Sequence, residues 1–298
     1  MKIFLALALI RFLSWLPLSF LYRAAVVPAA LMYRLPWRKH RVIETNLAIA
    51  YPELDRDQRD TLHRRHLIEM MRLVMESGAV WRWSARRLEK HVRDVQGWQH
   101  VVAARDSGRG VLLIGAHFGN WEMSALLVSL RGPFSGLYKA PRDPRADRAV
   151  TQSRERFGAR LIPAGSPAMR RLLRELKAGG TVGLLMDQLP RQGEGVYAPF
   201  FGRPALTMNL VHRLVQRTGC AVIFALAERL PGGRGWRMRF DPVDNEALSA
   251  EDPVAAAAAI NRQLEQLISH RPEQYLWLYK RYAVPPPGRS DPYQANRH

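Results

Sequence analysis

The segment GAHFGNWEM (115–123) sets a histidine and a glutamate five residues apart, directly after the apolar run VLLIGA (111–116). On an ideal helix five residues turn the chain by about 500°, so His117 and Glu122 would point roughly 140° apart if both were helical. They can pair only if His117 stands before the helix and Gly119 lets the chain bend. In that geometry Glu122 holds one imidazole nitrogen and fixes the tautomer, while the other nitrogen takes a proton from a hydroxyl. A His–carboxylate pair without a nucleophilic Ser or Cys points to direct transfer onto an acceptor alcohol, with N–H groups at the helix start steadying an oxyanion. By spacing alone, the same residues also fit a satisfied buried histidine and a first-turn helix charge.

Several other chemistries are excluded. There is no G-x-S-x-G elbow, H-E-x-x-H or Walker loop, and Gly193-Glu194-Gly195 and Gly108-Arg109-Gly110 lack the rest of a dinucleotide fingerprint. The single Cys220 rules out a disulfide framework and an all-Cys zinc site. His63 and His66 are three apart with no third ligand in view, which reads as a solvated or headgroup-facing pair, and no metal or cofactor is expected. Phe200, Phe201 and Trp277 fit either an acyl groove or core packing; Met70, Met71 and Met75 fit helix packing.

The elements that must position His117 follow from periodicity. Residues 53–83 have helical character, with Asp55 or Asp57 near the start and Gly78 near the end. Beyond Gly110, strands are expected at 111–116, 134–139, 181–187, 220–228 and 235–243. Helices are expected at 121–130, 144–158, over SPAMRRLLRELKAGG, over ALTMNLVHRLVQRTG and over PVAAAAAINRQLEQLISH. Strands alternating with amphipathic helices imply an α/β fold with a mixed, mostly parallel sheet flanked by helices. His117 then falls at the carboxyl end of a strand, where open α/β sheets place ligands. At 298 residues and 47% apolar composition, a substantial core is available.

The N-terminus reads as a membrane-anchoring helix. Residues 3–10 are unbroken apolar, Arg11 intervenes, and FLSWLPLSFLY continues the run to Tyr22. A central Arg costs roughly 2.5–3.5 kcal/mol against about 0.3–0.6 returned by each Leu, Ile or Phe, so spanning and lying in the interface are close in energy. Arg34, Arg38, Lys39 and Arg41 follow the run and place the body on the cytoplasmic side. The divisions are an anchor at 1–41, a catalytic domain at 42–284 and a loose tail at 285–298. Net charge is +19, and all but six of the 45 basic residues are Arg, whose planar fork suits phosphate and carboxylate. Acidic partners are expected. Nucleic acid is not, because zinc-finger spacing, a basic zipper and an RNP-like segment are all missing.

Five further blocks accompany HFGNWE in order: VIETNLAIAYPEL (42–54), LYKAPRDPRADRAVTQSRERFG (137–158), GLLMDQ (183–188), GVYAPFFGRPALT (195–207) and RPEQYLWLYKRY (271–282). With these the sequence resembles the late acyltransferases of lipid A biosynthesis, the lauroyl and myristoyl transferases. They lie within the lysophospholipid and glycerophosphate acyltransferase group marked by H-x4-D/E. The resemblance implies an α/β core of about seven strands at the bacterial inner membrane. It also implies acyl transfer from acyl carrier protein, less often coenzyme A, to a hydroxyl of a phosphorylated glycolipid. By that similarity His117 is the general base and Glu122 its orienting partner. Arg154 matches the substrate-phosphate arginine and Asp187 the acidic position of the GLLMD block, with Arg156 and Arg148 as further substrate-binding candidates. LYKAPRDP departs from the commoner YRP version of its block. The alternatives are an acyltransferase acting on a glycolipid, ornithine lipid or aryl-lipid acceptor, a lipid hydrolase using the same histidine, and a non-catalytic basic membrane adaptor.

Overall fold

The apolar run 111–116 becomes the centre of a sheet because both of its faces are covered. A computed structural model describes residues 2–294 apart from Ser166 and Ala250; positions 295–298 of the expected tail lie outside the described residues. The chain opens with α1 (Lys2–Leu13), α2 (Leu18–Ala24), α3 (Val26–Arg34), α4 (Arg38–Ala50), the long α5 (Arg56–Arg82) and α6 (Ala85–His91). The sheet region follows as β1 (Val92–Gln96), α7 (Trp98–Asp106), β2 (Val111–Gly115), α8 (Trp121–Leu130), β3 (Ser135–Tyr138), α9 (Pro144–Glu155), β4 (Arg160–Pro163), α10 (Ala168–Lys177) and β5 (Thr181–Leu185). The chain continues through β6 (Gly195–Phe200), β7 (Arg203–Met208), α11 (Leu210–Thr218), β8 (Ala221–Arg229), β9 (Trp236–Pro242), α12 (Asn245–Ser249) and α13 (Pro253–Ser269).

Seven strands form one sheet in the order β1-β9-β8-β2-β5-β3-β4, parallel throughout except for the antiparallel β8–β9 pair. This is the mixed, mostly parallel sheet expected. Leu112 and Ile114 point into the core on one face, with Cys220 and Leu264, while Val111 and Leu113 point into the core on the other, with Leu126 and Trp236. That two-sided burial is why β2 reads as a continuous apolar run rather than an alternating one.

Local signals set the ends of α5. Asp55 accepts from the Gln58 N–H and the Gln58 side chain accepts from the Asp55 N–H, forming a capping box. Gly78 does not end the helix. A side chain there would sit 2.4 Å from the Ser14 backbone nitrogen, so the glycine lets the end of α1 press against α5.

The structure corrects three expectations. The segment ALTMNLVHRLVQRTG is not one helix: it runs as β7 to Met208, paired antiparallel with β6, and turns helical only at Leu210. β1 was not expected, because VRDVQ is a half-buried edge strand with too few apolar positions to stand out. The segment from Pro285 is not loose where it is described: Tyr293 is buried and its hydroxyl donates to Asn46 Oδ1 at 2.6 Å. At the N-terminus, no described helix is long and apolar enough to cross a membrane. The apolar stretch is broken over 14–17 into short helices that bury Leu13, Leu18, Leu21 and Tyr22 but expose Phe4, Leu5, Phe20 and Val27, with Trp15 exposed in the break.

Candidate active site

Register brings two distant residues together. β2 and β5 are parallel neighbours with Gly115 opposite Leu185, and the Met186 N–H donates to the Gly115 carbonyl just beyond the strands. His117 and Asp187 each lie two residues past those partners, so both leave the sheet at the same carboxyl edge. Asp187 takes the His117 Nδ1–H at 2.8 Å on one oxygen and the His117 backbone N–H at 2.9 Å on the other. Burial, together with the Asp187 charge, pushes the Tyr275 hydroxyl well above its ordinary pKa, so Tyr275 stays neutral beside this carboxylate. Burial pushes the Asp187 carboxyl up, but its pairing with the His117 ring and the two His117 N–H groups it accepts from outweigh it and hold the group below the usual carboxylate range.

A carboxylate only accepts, so Nδ1 carries the ring proton and Nε2 is left with a lone pair. Gln188 Nε2 lies 3.3 Å from that nitrogen, and the ring stands edge-on to Trp121 with centroids 4.8 Å apart. The imidazole keeps 16% of its side-chain surface exposed while Asp187 keeps 3%, so one end of the pair is buried and the other is accessible.

Glu122 does not orient His117. Both of its oxygens are taken by Arg154, with Nε donating at 2.8 Å and Nη2 closing the second bond of the fork. The reason is local: Glu122 is the second residue of α8, turned away from His117 toward the last turn of α9. Burial lowers the Arg154 pKa, and the Glu122 bond and charge more than restore it. Arg156 faces away from the site as well, donating to the Ser153 carbonyl and to the Val80 and Trp83 carbonyls at the end of α5. Burial pulls its pKa down to about 10. Arg148 is exposed on α9.

The loop carrying His117 is pinned along its length. The Leu276 N–H donates to the His117 carbonyl, the Gly119 N–H to the Gln274 carbonyl and the Asn120 N–H to the Ala227 carbonyl. Gly119 has φ +55°, and a side chain there would lie 2.0 Å from the Ala227 oxygen, so this position requires glycine. Asn120 occupies the N-cap of α8 without capping it, because its amide donates to Glu76 instead. The Met123 N–H is taken by the Asn120 carbonyl at 2.9 Å, and the Trp121 and Glu122 N–H groups at the start of α8 receive no side-chain cap.

A cavity of about 110 Å³ lies beneath α8. Trp121, Ser124, Ala125 and Val128 form its roof at helical spacing. Gly115, Gly136 and Gly183 on β2, β3 and β5 keep its floor low, and Glu122, Arg154 and Tyr138 also line it. His117 touches this space through Trp121 rather than as a wall residue. Phe200 and Trp277 are core residues, packed with Phe201, Tyr51 and Tyr275, and they do not line the cavity. Met70 is buried on α5, and Met71 and Met75 pack at the edges of the two cores. His63 and His66 are buried, not solvated, and no group of three or more metal-ligating side chains occurs among the described residues.

Sequence reasoning missed Asp187 as the partner of His117, along with Tyr275 and Gln188. The available signal was the pair VLLIGAH and TVGLLMD, two strand-like runs each followed by one titratable residue at the same offset.

Residues 1–283 match the family of bacterial lipid A biosynthesis acyltransferases. The chain is similar to the lipid A biosynthesis lauroyltransferase of Escherichia coli, 25% identical over 288 residues and covering 93% of each chain. It is 26% identical over 257 residues to the palmitoleoyltransferase of that organism, covering 86% of this chain and 82% of the relative. It is 23% identical over 257 residues to the myristoyltransferase, covering 84% and 76%.

Proposed function

From the premise that the chain belongs to the bacterial lipid A biosynthesis acyltransferases, we propose that it moves a fatty acyl chain from acyl carrier protein to a hydroxyl of a lipid A precursor. His117 is the general base and Asp187 its orienting partner. The acceptor O–H proton passes to Nε2 as the oxygen bonds to the thioester carbonyl carbon. The C–S bond then breaks, and the leaving thiolate recovers the proton from His117. The uncapped amides at the start of α8 stabilise the oxyanion between these steps. The acyl tail occupies the cavity beneath α8, where each buried methylene contributes about 0.8 kcal/mol. Arg154, held by Glu122 at the rim, faces the phosphorylated acceptor, and the net charge of +19 favours both that acceptor and an acidic carrier protein.

We place the protein at the bacterial inner membrane with its catalytic body on the cytoplasmic face. Exposed Phe4, Leu5, Phe12, Trp15, Phe20, Val27 and Leu31 across α1–α3 would lie in the lipid interface rather than span it. Protease access in inside-out vesicles tests the orientation, and protection there contradicts it.

The single observation that carries the reading is the partly exposed imidazole clamped by Asp187 through Nδ1 and packed on Trp121 at the wall of an apolar cavity. Mass spectrometry of lipid A from cells lacking and regaining this chain tests it. A mass difference of one fatty acyl group is expected, and identical lipid A in both strains refutes it.

A further inference from the structure

Beneath the His117 loop, a single carboxylate joins three parts of the chain. Glu76, on α5 and fully buried, accepts from the Asn120 side chain at 2.7 Å and from Arg229 Nε at 2.8 Å on one oxygen, and from the Tyr22 hydroxyl of α2 on the other. Arg229, at the end of β8, donates its Nη2 to the Gly119 carbonyl at 2.6 Å and its Nη1 to Glu69 at 3.4 Å. Its own backbone N–H and carbonyl are both held by the Gln274 side chain, while the Gln274 carbonyl accepts from Gly119. Arg72 completes the cluster, bonding Glu69 at 2.6 Å and lying over the Tyr22 ring.

Burying two carboxylates and a guanidinium costs desolvation, and buried ion pairs of this kind rarely add net stability over apolar packing. What the cluster does provide is direction. Arg229 fixes the Gly119 carbonyl, two residues from His117. Glu76 draws the Asn120 amide downward, away from the capping position that Asn normally takes.

We infer that Glu76 and Arg229 are positioning residues for the transfer reaction: they hold the 117–120 loop so that His117 meets Asp187, and they keep the Asn120 side chain from capping the Trp121 and Glu122 amides of α8. Through Tyr22, the same carboxylate ties the seating of the N-terminal helices to that loop. The inference rests on the acyl-transfer reading for its kinetic consequence but not for its geometric one.

The test uses the full chain in detergent with acyl-acyl carrier protein as donor and a phosphorylated lipid A precursor as acceptor. It compares Glu76→Gln, Glu76→Gln combined with Arg229→Met, and Tyr22→Phe. Asn261→Ala serves as the control, because it removes two buried hydrogen bonds, to Pro199 and Thr207 on the β6–β7 hairpin, and none to the loop. Misplacing a catalytic group by about 1 Å costs on the order of 100-fold, so kcat should fall by up to that amount in the Glu76 variants and by less in Tyr22→Phe. The donor KM should stay within about twofold, since uniform binding is untouched. The control should lose thermal stability without that loss of kcat. Folded Glu76 variants with parental kcat overturn the inference, as does a control that loses as much kcat as they do. If Glu76→Gln fails to fold, Tyr22→Phe carries the comparison, and parental kcat in that variant overturns the inference. Nitrogen-15 NMR of His117 separates the two readings: a changed Nδ1–H signal in the variants supports the positioning role even if the parent transfers no acyl chain, and an unchanged signal contradicts it.

Discussion

His117 and the His40–His63 pair each set an imidazole among polar partners, yet the His63 ring is only 3% exposed while the His117 ring keeps 16%. In the pair, His40 Nδ1 meets His63 Nε2 at 3.0 Å, and His40 Nε2 reaches the Met32 and Leu35 carbonyls at the end of α3. That pair ties α3, α4 and α5 together. Burial and the neighbouring His40 lower the His63 pKa to about 4. At the other site a carboxylate takes one nitrogen of His117, and the other, with Gln188 Nε2 at 3.3 Å, belongs to a partly exposed ring that packs on Trp121 at the wall of an apolar cavity. A histidine becomes a candidate base through the face its partners leave open, not through the number of polar groups around it.

Replacing His117 by Ala breaks the comparison most severely. Transfer should fall by about 10²–10⁴-fold in kcat while the fold, followed by thermal unfolding, is kept. The cavity beside it offers a subtler change. At Gly136 an added Cβ would meet Leu161 and Phe134 at 3.5 Å, an ordinary contact distance, so Gly136→Ala should fold and fill part of the space. Donor preference should then shift to shorter chains, by roughly fourfold in kcat/KM per excluded methylene, as read from competition between donors of different length.

The smallest effect belongs to the structural pair. His63 and the fully buried His66, whose pKa burial pulls down to about 3, stay neutral in the fold where the unfolded chain's imidazoles take up protons. Unfolding therefore binds protons below about pH 6.5, and stability should fall as the pH drops toward 4, by about 1.4 kcal/mol per unit for each such histidine at most. Chemical denaturation across that range should show a shallower slope in His63→Gln; an unchanged slope would remove His63 from the account.

After Gly110, β2, β3, β5, β8 and β9 are legible because a two-sided sheet writes apolar runs, whereas the short β4 and the β6–β7 hairpin are not; the His117 loop is legible from its place after β2. The partner of His117 was not legible from spacing. H-x4-E puts Glu122 close in sequence, but the start of α8 turns it toward Arg154, while Asp187 arrives through strand register across 70 residues. Arg156 was misread for a similar reason: the chemistry of its side chain fits phosphate, but its position beside the end of α5 makes it a partner for helix carbonyls. β1 and β7 were hidden by half-exposed, polar or proline-containing residues.

The most direct measurement is kcat for Asp187→Asn beside kcat for Glu122→Gln, both at saturating donor and acceptor. An amide at 187 no longer fixes the Nδ1–H tautomer, so Asp187→Asn should lose on the order of 100-fold or more. Glu122→Gln frees the Arg154 fork without touching the imidazole, and should act mainly on KM, with kcat kept within about tenfold. The reverse order, a silent Asp187→Asn beside a dead Glu122→Gln, would contradict the account.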